Sequence, residues 1–280
     1  MPPLTGLRFS LAGPGKVGAS LAQWMLAAGA ELAAVAGRRT GEAAWPGGPV
    51  VVGLSDLETA GQDLLLVAVS DAVLSQVAAE IAGRPQAKVV LHTSGSLDAS
   101  ALAPLRAAGS ATGSLHPLKA FPRPLPDAAE AHGVFFAVDG DPEAQETAMR
   151  LSAAWGGVAA EVPAAARPLY HFAASLAAGG VVTLLATAAE LAGRLGLPQE
   201  VALGYLELAR GAIAAARETL DAGRPLASAI TGPAARGDRA TLERHFAALR
   251  ELAPETLALA VSLAEETVRR VRVGSTSAGP

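Results

Sequence analysis

The sequence predicts a parallel α/β sheet followed by an all-helical region, and three observations carry that prediction. Over residues 1–162, short apolar runs alternate with segments of helical period, as a parallel sheet with crossover helices requires. Gly13, Gly15 and Gly18 stand between the first such run and the first helix. Beyond Pro163 the alternation stops and only helical patterns continue.

The elements follow in order. Residues 7–12 read as a strand and residues 19–26 as a helix closing at Gly29. Residues 32–36 form a second strand. Residues 64–69 are a continuous apolar run, which suits a strand covered on both faces. A helix through Val73, Val77 and Ile81 comes next, then strands over 88–92, 111–115 and 133–138. Asp141-Pro142 carries an N-cap and first-turn signature for a helix with Ala144, Ala148, Leu151 and Trp155 on one face. That helix stops at Gly156-Gly157, and residues 158–162 form a last strand. Helices are expected over 167–195, 199–222, 239–252 and 254–272, the last with Leu257, Val261, Ala264, Val268 and Val271 on one face. The expected domains are 1–163 and 164–273, with 274–280 a disordered tail.

Gly13-Pro14-Gly15-Lys16-Val17-Gly18 has the spacing of a dinucleotide site, and its place between strand and helix gives the pattern its meaning. Gly13 permits the tight turn, Gly15 lets a diphosphate approach the backbone, and Gly18 lets helix and strand pack closely. The N-terminus of the helix adds free N–H groups and a positive dipole end. About 20 residues further on, such sites that take NAD place an acidic residue against the ribose. Here Arg38 and Arg39 follow the second strand instead. Guanidinium forks pair with a phosphate, so NADP(H) is the expected cofactor.

Composition narrows the function classes. Of 280 residues, 51% are hydrophobic and 4% aromatic, so small aliphatic side chains do most of the packing. A net charge of −4 gives no support to nucleic-acid binding. The absence of cysteine excludes disulfides, thiolate metal sites and cysteine nucleophiles. No two histidines have metal-site spacing and no Gly-x-Ser-x-Gly elbow occurs, so neither a metal nor serine hydrolysis is expected. Residues 1–6 lack the basic segment and apolar core of a signal peptide, and a cytoplasmic location is expected. Residues 172–189 carry no charge over 18 positions, near the length of a membrane span. They include Ser175, Gly179, Gly180, Thr183 and Thr187 and have no aromatic belt, so a helix buried in a soluble domain or dimer is expected, with no membrane association.

In an open α/β sheet, ligands lie beyond the C-terminal ends of the strands. The turns Ser70-Asp71, Thr93-Ser94-Gly95 and His116-Pro117-Leu118 are therefore expected to line one crevice, enclosed by the helical domain. His116 is a candidate proton donor because its ordinary pKa lies near neutrality. Lys119, on the same loop, is a second. Tyr170 and His171 lie in the first turns of the long helix, where they either face the cofactor or pack one helix face. The loop 121–127, with Pro122, Pro124 and Pro126, is stiff and a candidate rim. In the cluster 230–238, Arg236 suits a carboxylate, and Asp238 is placed to cap the next helix. His92 is expected to pack at its strand end, and His132 and His245 have no functional context.

Taken together, Gly13 to Gly18, Val69-Ser70-Asp71, His92 to Gly95, Ser114 to Leu118, Tyr170-His171 and Thr231 to Asp238 resemble a bacterial family. That family joins a Rossmann-like domain to a C-terminal helical domain of unknown function. More broadly, the chain resembles the superfamily of pyrroline-5-carboxylate reductase, 6-phosphogluconate dehydrogenase and ketopantoate reductase. The resemblance implies NADP binding with Val69 among the cofactor contacts, a homodimer formed through the helical domain, and an active site between domains. It leads one to expect an asparagine near residue 179, where this chain has Gly179. The helical region has no lysine, so the lysine acid of the better-known ketopantoate reductases has no counterpart there.

The resulting expectation is an NADPH-dependent reductase of a small 2-oxo or imino carboxylic acid, ketopantoate among the candidates. Its catalytic residues are expected among His116, Lys119, Tyr170, His171 and Arg236, with Ser175, Gly179, Thr231, Gly232, Pro233 and Asp238 as substrate-binding positions. The alternative is a catalytically silent NADP-binding sensor or scaffold, which Gly179 favours.

Overall fold

The computed structural model describes residues 3–84 and 86–276. Seven strands form one sheet in the order β2-β1-β3-β4-β5-β6-β7. They are β1 Arg8–Ala12, β2 Glu31–Ala36, β3 Leu64–Val67, β4 Val89–His92, β5 Ala111–Pro117, β6 Phe135–Gly140 and β7 Val158–Glu161. The order reverses between β1 and β3, which pair in parallel from Phe9↔Leu64 to Ala12↔Val67. Their C-terminal ends therefore define the crevice where this architecture takes ligands.

Helices cover both faces of the sheet. On one side lie α1 Lys16–Ala27 and α4 Pro142–Ala154; on the other lie α2 Asp71–Ile81 and the short α3 Ala103–Ala107. The continuous apolar run of β3 serves both cores, since successive side chains alternate across a strand. Leu64 and Leu66 join Trp24, Met25, Leu151 and Trp155, whereas Leu65 and Val67 join Leu74, Val77 and Ile81.

One pair departs from the expected parallel arrangement. β6 runs antiparallel to β5, in register from Gly113↔Gly140 to Pro117↔Phe136. A parallel return needs a helical crossover, and the connection from Leu118 to Val134 offers only a 3₁₀ turn at Ala128–Ala131. That connection is fastened to α1 instead. Trp24 Nε1 donates to the Leu125 carbonyl at 2.8 Å, and the Leu125 N–H donates to Ser20 Oγ at 2.8 Å.

After β7 the chain is helical, with α5 Arg167–Ser175, a π turn over Leu176–Gly180, α6 Val181–Arg194, α7 Val201–Asp221, α8 Pro233–Arg236, α9 Arg239–Leu252 and α10 Leu257–Thr276. The first compact unit ends at Ala178 and the second begins at Gly179, inside the π turn. The change of pattern after Pro163 thus precedes the division of the fold, because Arg167 ties α5 to the sheet. Within the second unit, Arg194 joins α6 to the α9–α10 turn by donating to the Leu252 carbonyl at 3.1 Å and pairing with Glu255.

Two further expectations are corrected. A single helix over 254–272 is instead a 3₁₀ turn at Pro254–Thr256 followed by α10, which continues to Thr276. The tail assigned to 274–280 is therefore helical at its start, and residues 277–280 lie outside the described residues. The charge-free segment is not buried within its own domain, one of the two settings expected for it. It belongs to a helical run, Ala164–Arg194, long and apolar enough to cross a membrane, whose most apolar window has no buried residue.

Candidate functional site

The glycine loop has the geometry that its spacing predicts. Gly13 takes a φ of +95°, and a side chain there would place Cβ 2.5 Å from the Ala68 carbonyl oxygen. Any Cβ at Gly18 would run into the Gly13 carbonyl and approach Ala68 Cβ at 2.9 Å. Gly15 differs from both, since nothing stands within 4 Å of its Cβ position. It is the N-cap of α1, contributes no side-chain cap, and precedes a first turn without acidic residues. The opening N–H groups of that helix have no intrahelical acceptors and lie at its positive end. Gly37 packs against this loop, because a Cβ there would lie 2.9 Å from Pro14 Cδ.

Arg38 and Arg39 follow Gly37 on the surface, with Arg39 facing Glu42 at 3.6 Å. Open space over Gly15, helix-start N–H groups with no acceptor among the described residues, and two exposed guanidiniums fit a diphosphate and a further phosphate together. Lys16 is exposed in the first turn and Val17 half-buried. Val69 is half-buried after β3, Ser70 stands at the N-cap of α2, and Asp71 accepts a 2.5 Å hydrogen bond from Ser96 Oγ.

The ends of β4 and β5 carry the densest polar group. The Thr93 N–H donates to the Val67 carbonyl at 3.2 Å, continuing the ladder past the strand. Ser94 is buried and its Oγ accepts from the Ser96 and Leu97 N–H groups. His92 is a packing residue: Nδ1 accepts from the Ser94 N–H at 3.1 Å, Nε2 lies 3.0 Å from the Asp98 carbonyl, and burial holds its pKa below the ordinary value.

His116 Nδ1 is 2.9 Å from Tyr170 Oη, and the ring of His171 stands 6.0 Å away, nearly perpendicular. Burial first, then the nearby His171 and Arg167, push the pKa of His116 down to about 4. The imidazole is therefore neutral at physiological pH. Burial raises the Tyr170 phenol, keeping it protonated as well. A Cβ on Gly95 would lie 2.6 Å from His171 Nδ1 and 2.7 Å from His116 Nε2, so both rings converge on the space above this glycine. His171 Nδ1 is buried with no partner among the described residues.

The structure thus brings Thr93–Gly95, His116, Tyr170 and His171 into one cluster beside the turn after β3. Lys119 pairs with Glu130 at 2.9 Å. Ser175 is exposed on α5 and bonds back to the His171 carbonyl, and Gly179 lies in the π turn with open space about it. The remaining candidates form a separate group in the second unit. Gly232 has a φ of +106°, Pro233 opens α8, Gly237 is left-handed, and Asp238 caps α9 by accepting from the Thr241 N–H at 3.1 Å. Thr231 and Arg236 border a cavity of about 450 Å³ with Ser228, Ile230 and Val271.

Arg167, Asp139 and Ser114 are a buried polar set at the base of the first cluster that motif reasoning does not reach. Arg167 Nε lies 3.1 Å from Asp139 Oδ2, and Nη2 donates to Ser114 Oγ. The sequence does hold a signal, since Arg167 is the single charged residue between Glu161 and Glu190. A lone charge in an apolar segment is expensive to bury unless it is paired.

Family comparison agrees with this architecture. Residues 5–117 match the model of a Rossmann-like domain, and residues 134–267 match a domain of unknown function, DUF2520. The chain therefore joins a Rossmann-like domain to a DUF2520 domain. Among solved structures, it is similar to a Bacteroides fragilis protein provisionally described as an NADP oxidoreductase. The identity is 19% and the TM-score 0.74, over 96% of this chain and 100% of the other. A Thermotoga maritima protein gives 19% and 0.72 over 95% and 98%. Plasmodium falciparum pyrroline carboxylate reductase, solved with NADP bound, gives 14% and 0.61 over 96% and 99%. At these identities the likeness is one of fold. No curated protein matches the sequence.

Proposed function

We propose that this protein is an NADPH-dependent reductase of a small 2-oxo or imino carboxylic acid, with ketopantoate one candidate substrate. The observation that carries the reading is the convergence of two histidine rings over Gly95, at strand ends beside a glycine loop open at Gly15. Such a loop suits the diphosphate, with Arg38 and Arg39 taking the phosphate that distinguishes NADP from NAD. The pyrroline carboxylate reductase with this fold was solved with NADP.

When bound, the cofactor supplies a hydride, and reduction of a carbonyl or imine then requires one proton on the heteroatom. Tyr170 and neutral His116 form the donor pair for that proton, and His171 is the second imidazole able to hold the same atom. Arg236 is assigned the substrate carboxylate, supported by its place on a cavity that also offers Thr231 and Ser228 hydroxyls. NADPH oxidation followed at 340 nm with a panel of 2-oxo and imino acids tests the activity (the wavelength is about where reduced nicotinamide absorbs). An absence of turnover across the panel, with NADPH bound, would transfer support to a silent NADP-binding sensor. Gly179 favours that second reading, because it offers a ligand only backbone where the resemblance leads one to expect an amide side chain.

The same proposal includes a cytoplasmic homodimer formed through the helical region. Leu169, Phe172 and Leu176 recur at i, i+3 and i+7 and are all more than half exposed, as are Leu203, Leu206 and Ile213 on α7. Exposed apolar stripes of this kind mark surfaces that a partner covers. A monomer mass at sedimentation equilibrium would set the dimer aside, and recovery with membranes on cell fractionation would set aside the location.

A further inference from the structure

Arg167 opens α5 and is fully buried, with 0% exposure. Its guanidinium is shared among three segments of the sheet: the turn after β4, the middle of β5 and the C-terminal part of β6. Nε faces Asp139 on β6; Nη1 donates to the carbonyls of Ser94 at 3.1 Å and Leu97 at 3.3 Å, beyond β4; Nη2 reaches Ser114 Oγ on β5. Tyr170 and His171 follow at i+3 and i+4, on the helical face that Arg167 itself occupies. Both then meet His116, Tyr170 by its hydroxyl and His171 by its ring.

The carbonyl of Ser94 belongs to the peptide whose N–H is that of Gly95. In a trans peptide the two point opposite ways, so holding the carbonyl turns the Gly95 N–H away from Arg167. That N–H meets no acceptor among the described residues, although Gly95 is buried. A buried donor without a partner is a place for a ligand atom.

We propose that Arg167 is a positioning residue for the reaction. Its fork sets the rotation of α5 and the tilt of the Ser94–Gly95 peptide, aligning Tyr170, His116 and the Gly95 N–H on one substrate atom. This assignment rests on the reductase reading above. Stability alone does not require the pair, since buried ion pairs are often replaceable by apolar side chains without loss. What an apolar side chain lacks is the branched contact to Ser94, Leu97 and Ser114.

Arg167→Lys tests it in the full-length protein, because lysine keeps the charge beside Asp139 but replaces the fork with one point donor. The groups facing His116 are Tyr170, His171, Arg167, His92 and Asp71. As α5 loosens, the NMR titration of His116 is expected to rise from about 4 toward its ordinary value, by about one pH unit. Turnover is expected to fall about tenfold or more with KM for NADPH unchanged. Ser114→Ala removes one acceptor only and is expected to move the His116 titration the same way by less, which keeps the test open if the lysine variant does not fold. A folded Arg167→Lys or Ser114→Ala protein in which His116 titrates as in wild type overturns the proposal. Failure of the reductase reading has a different signature: wild type then turns over no acid of the panel, whether or not it binds NADPH, while the titrations still decide whether Arg167 positions His116.

Discussion

Tyr170 Oη stands 2.9 Å from His116 Nδ1, with the two rings at 90°. A phenol that donates to Nδ1 leaves the ring proton on Nε2, the nitrogen that faces Gly95. The pair then links two titratable groups in a line toward Gly95, the relay that a proton donor to a bound carbonyl needs. Tyr170→Phe keeps the ring packed against Phe135, 6.5 Å between centroids, and removes only the hydroxyl. Its kcat is expected to fall roughly 10²-fold with NADPH affinity unchanged, a typical size for one acid–base group. Wild-type kcat in this variant would take Tyr170 out of the chemistry.

His116 also makes a prediction about stability. Its folded pKa, about 4, lies below its ordinary value of 6.5, and burial depresses His92 in the same direction. Between those two pH values the unfolded chain binds more protons than the folded one, so stability falls as pH drops through that window. The loss assigned to His116 is about 3 kcal/mol, present in full only below about pH 4. Urea melts at pH 7 and pH 4.5 measure it. His116→Asn, which cannot charge, is expected to flatten the slope while leaving the contribution of His92.

Gly95 allows a sharper test of the cluster. Its Cβ position lies 2.6 Å from His171 Nδ1 and 2.7 Å from His116 Nε2, so Gly95→Ala must push both rings aside. The rings are ends of side chains and can move, and the fold is therefore expected to survive with stability lowered by about 1–3 kcal/mol. Turnover is expected to fall by more than about 10²-fold, as a displacement near 1 Å does at a reacting centre. Full activity would mean that the space above Gly95 is not where the substrate reacts.

Much of this was legible in the sequence, and the exceptions have physical causes. Strands such as β3 announce themselves because a run buried on both faces must be apolar throughout. The glycine loop was legible because only glycine meets the steric demands at Gly13 and Gly18. The antiparallel turn of β6 was not, since strand direction depends on whether the preceding loop can cross over the sheet. His116 and Tyr170 were visible one at a time, but their hydrogen bond spans 54 positions and no local pattern encodes it. Arg167 was not legible either, because its partners lie on three separate segments, Ser94 beyond β4, Ser114 within β5 and Asp139 on β6.

Arg38 and Arg39 bear on cofactor choice in different degrees. Arg39 shares its charge with Glu42 at 3.6 Å, both side chains being well exposed, and such a surface pair is worth little. Arg38 is exposed beside it, directly after the glycine that packs on the loop. Arg38→Ala is expected to weaken NADPH binding about tenfold, close to one charge-assisted pair, and to leave NADH binding unchanged. Calorimetric titration with both nucleotides reads the difference. Equal losses for the two would place the guanidinium away from the extra phosphate.

The two opening glycines separate folding from binding. Gly13→Ala forces a side chain into a φ of +95° and onto the Ala68 carbonyl, so it is expected to cost roughly 1–3 kcal/mol of stability. Gly15 has a φ of −75°, which alanine adopts freely, and open space at its Cβ position. Gly15→Ala is therefore expected to leave Tm unchanged or raise stability by up to about 1 kcal/mol, through reduced freedom of the unfolded chain. Its methyl nevertheless occupies the space through which a diphosphate reaches the helix N-terminus, and NADPH affinity is expected to drop at least about tenfold. Affinity is thus expected to fall at Gly15 without any loss of stability, whereas the substitution at Gly13 is expected to cost stability itself. A Gly15→Ala protein that binds NADPH as wild type does would show that no diphosphate approaches the backbone there.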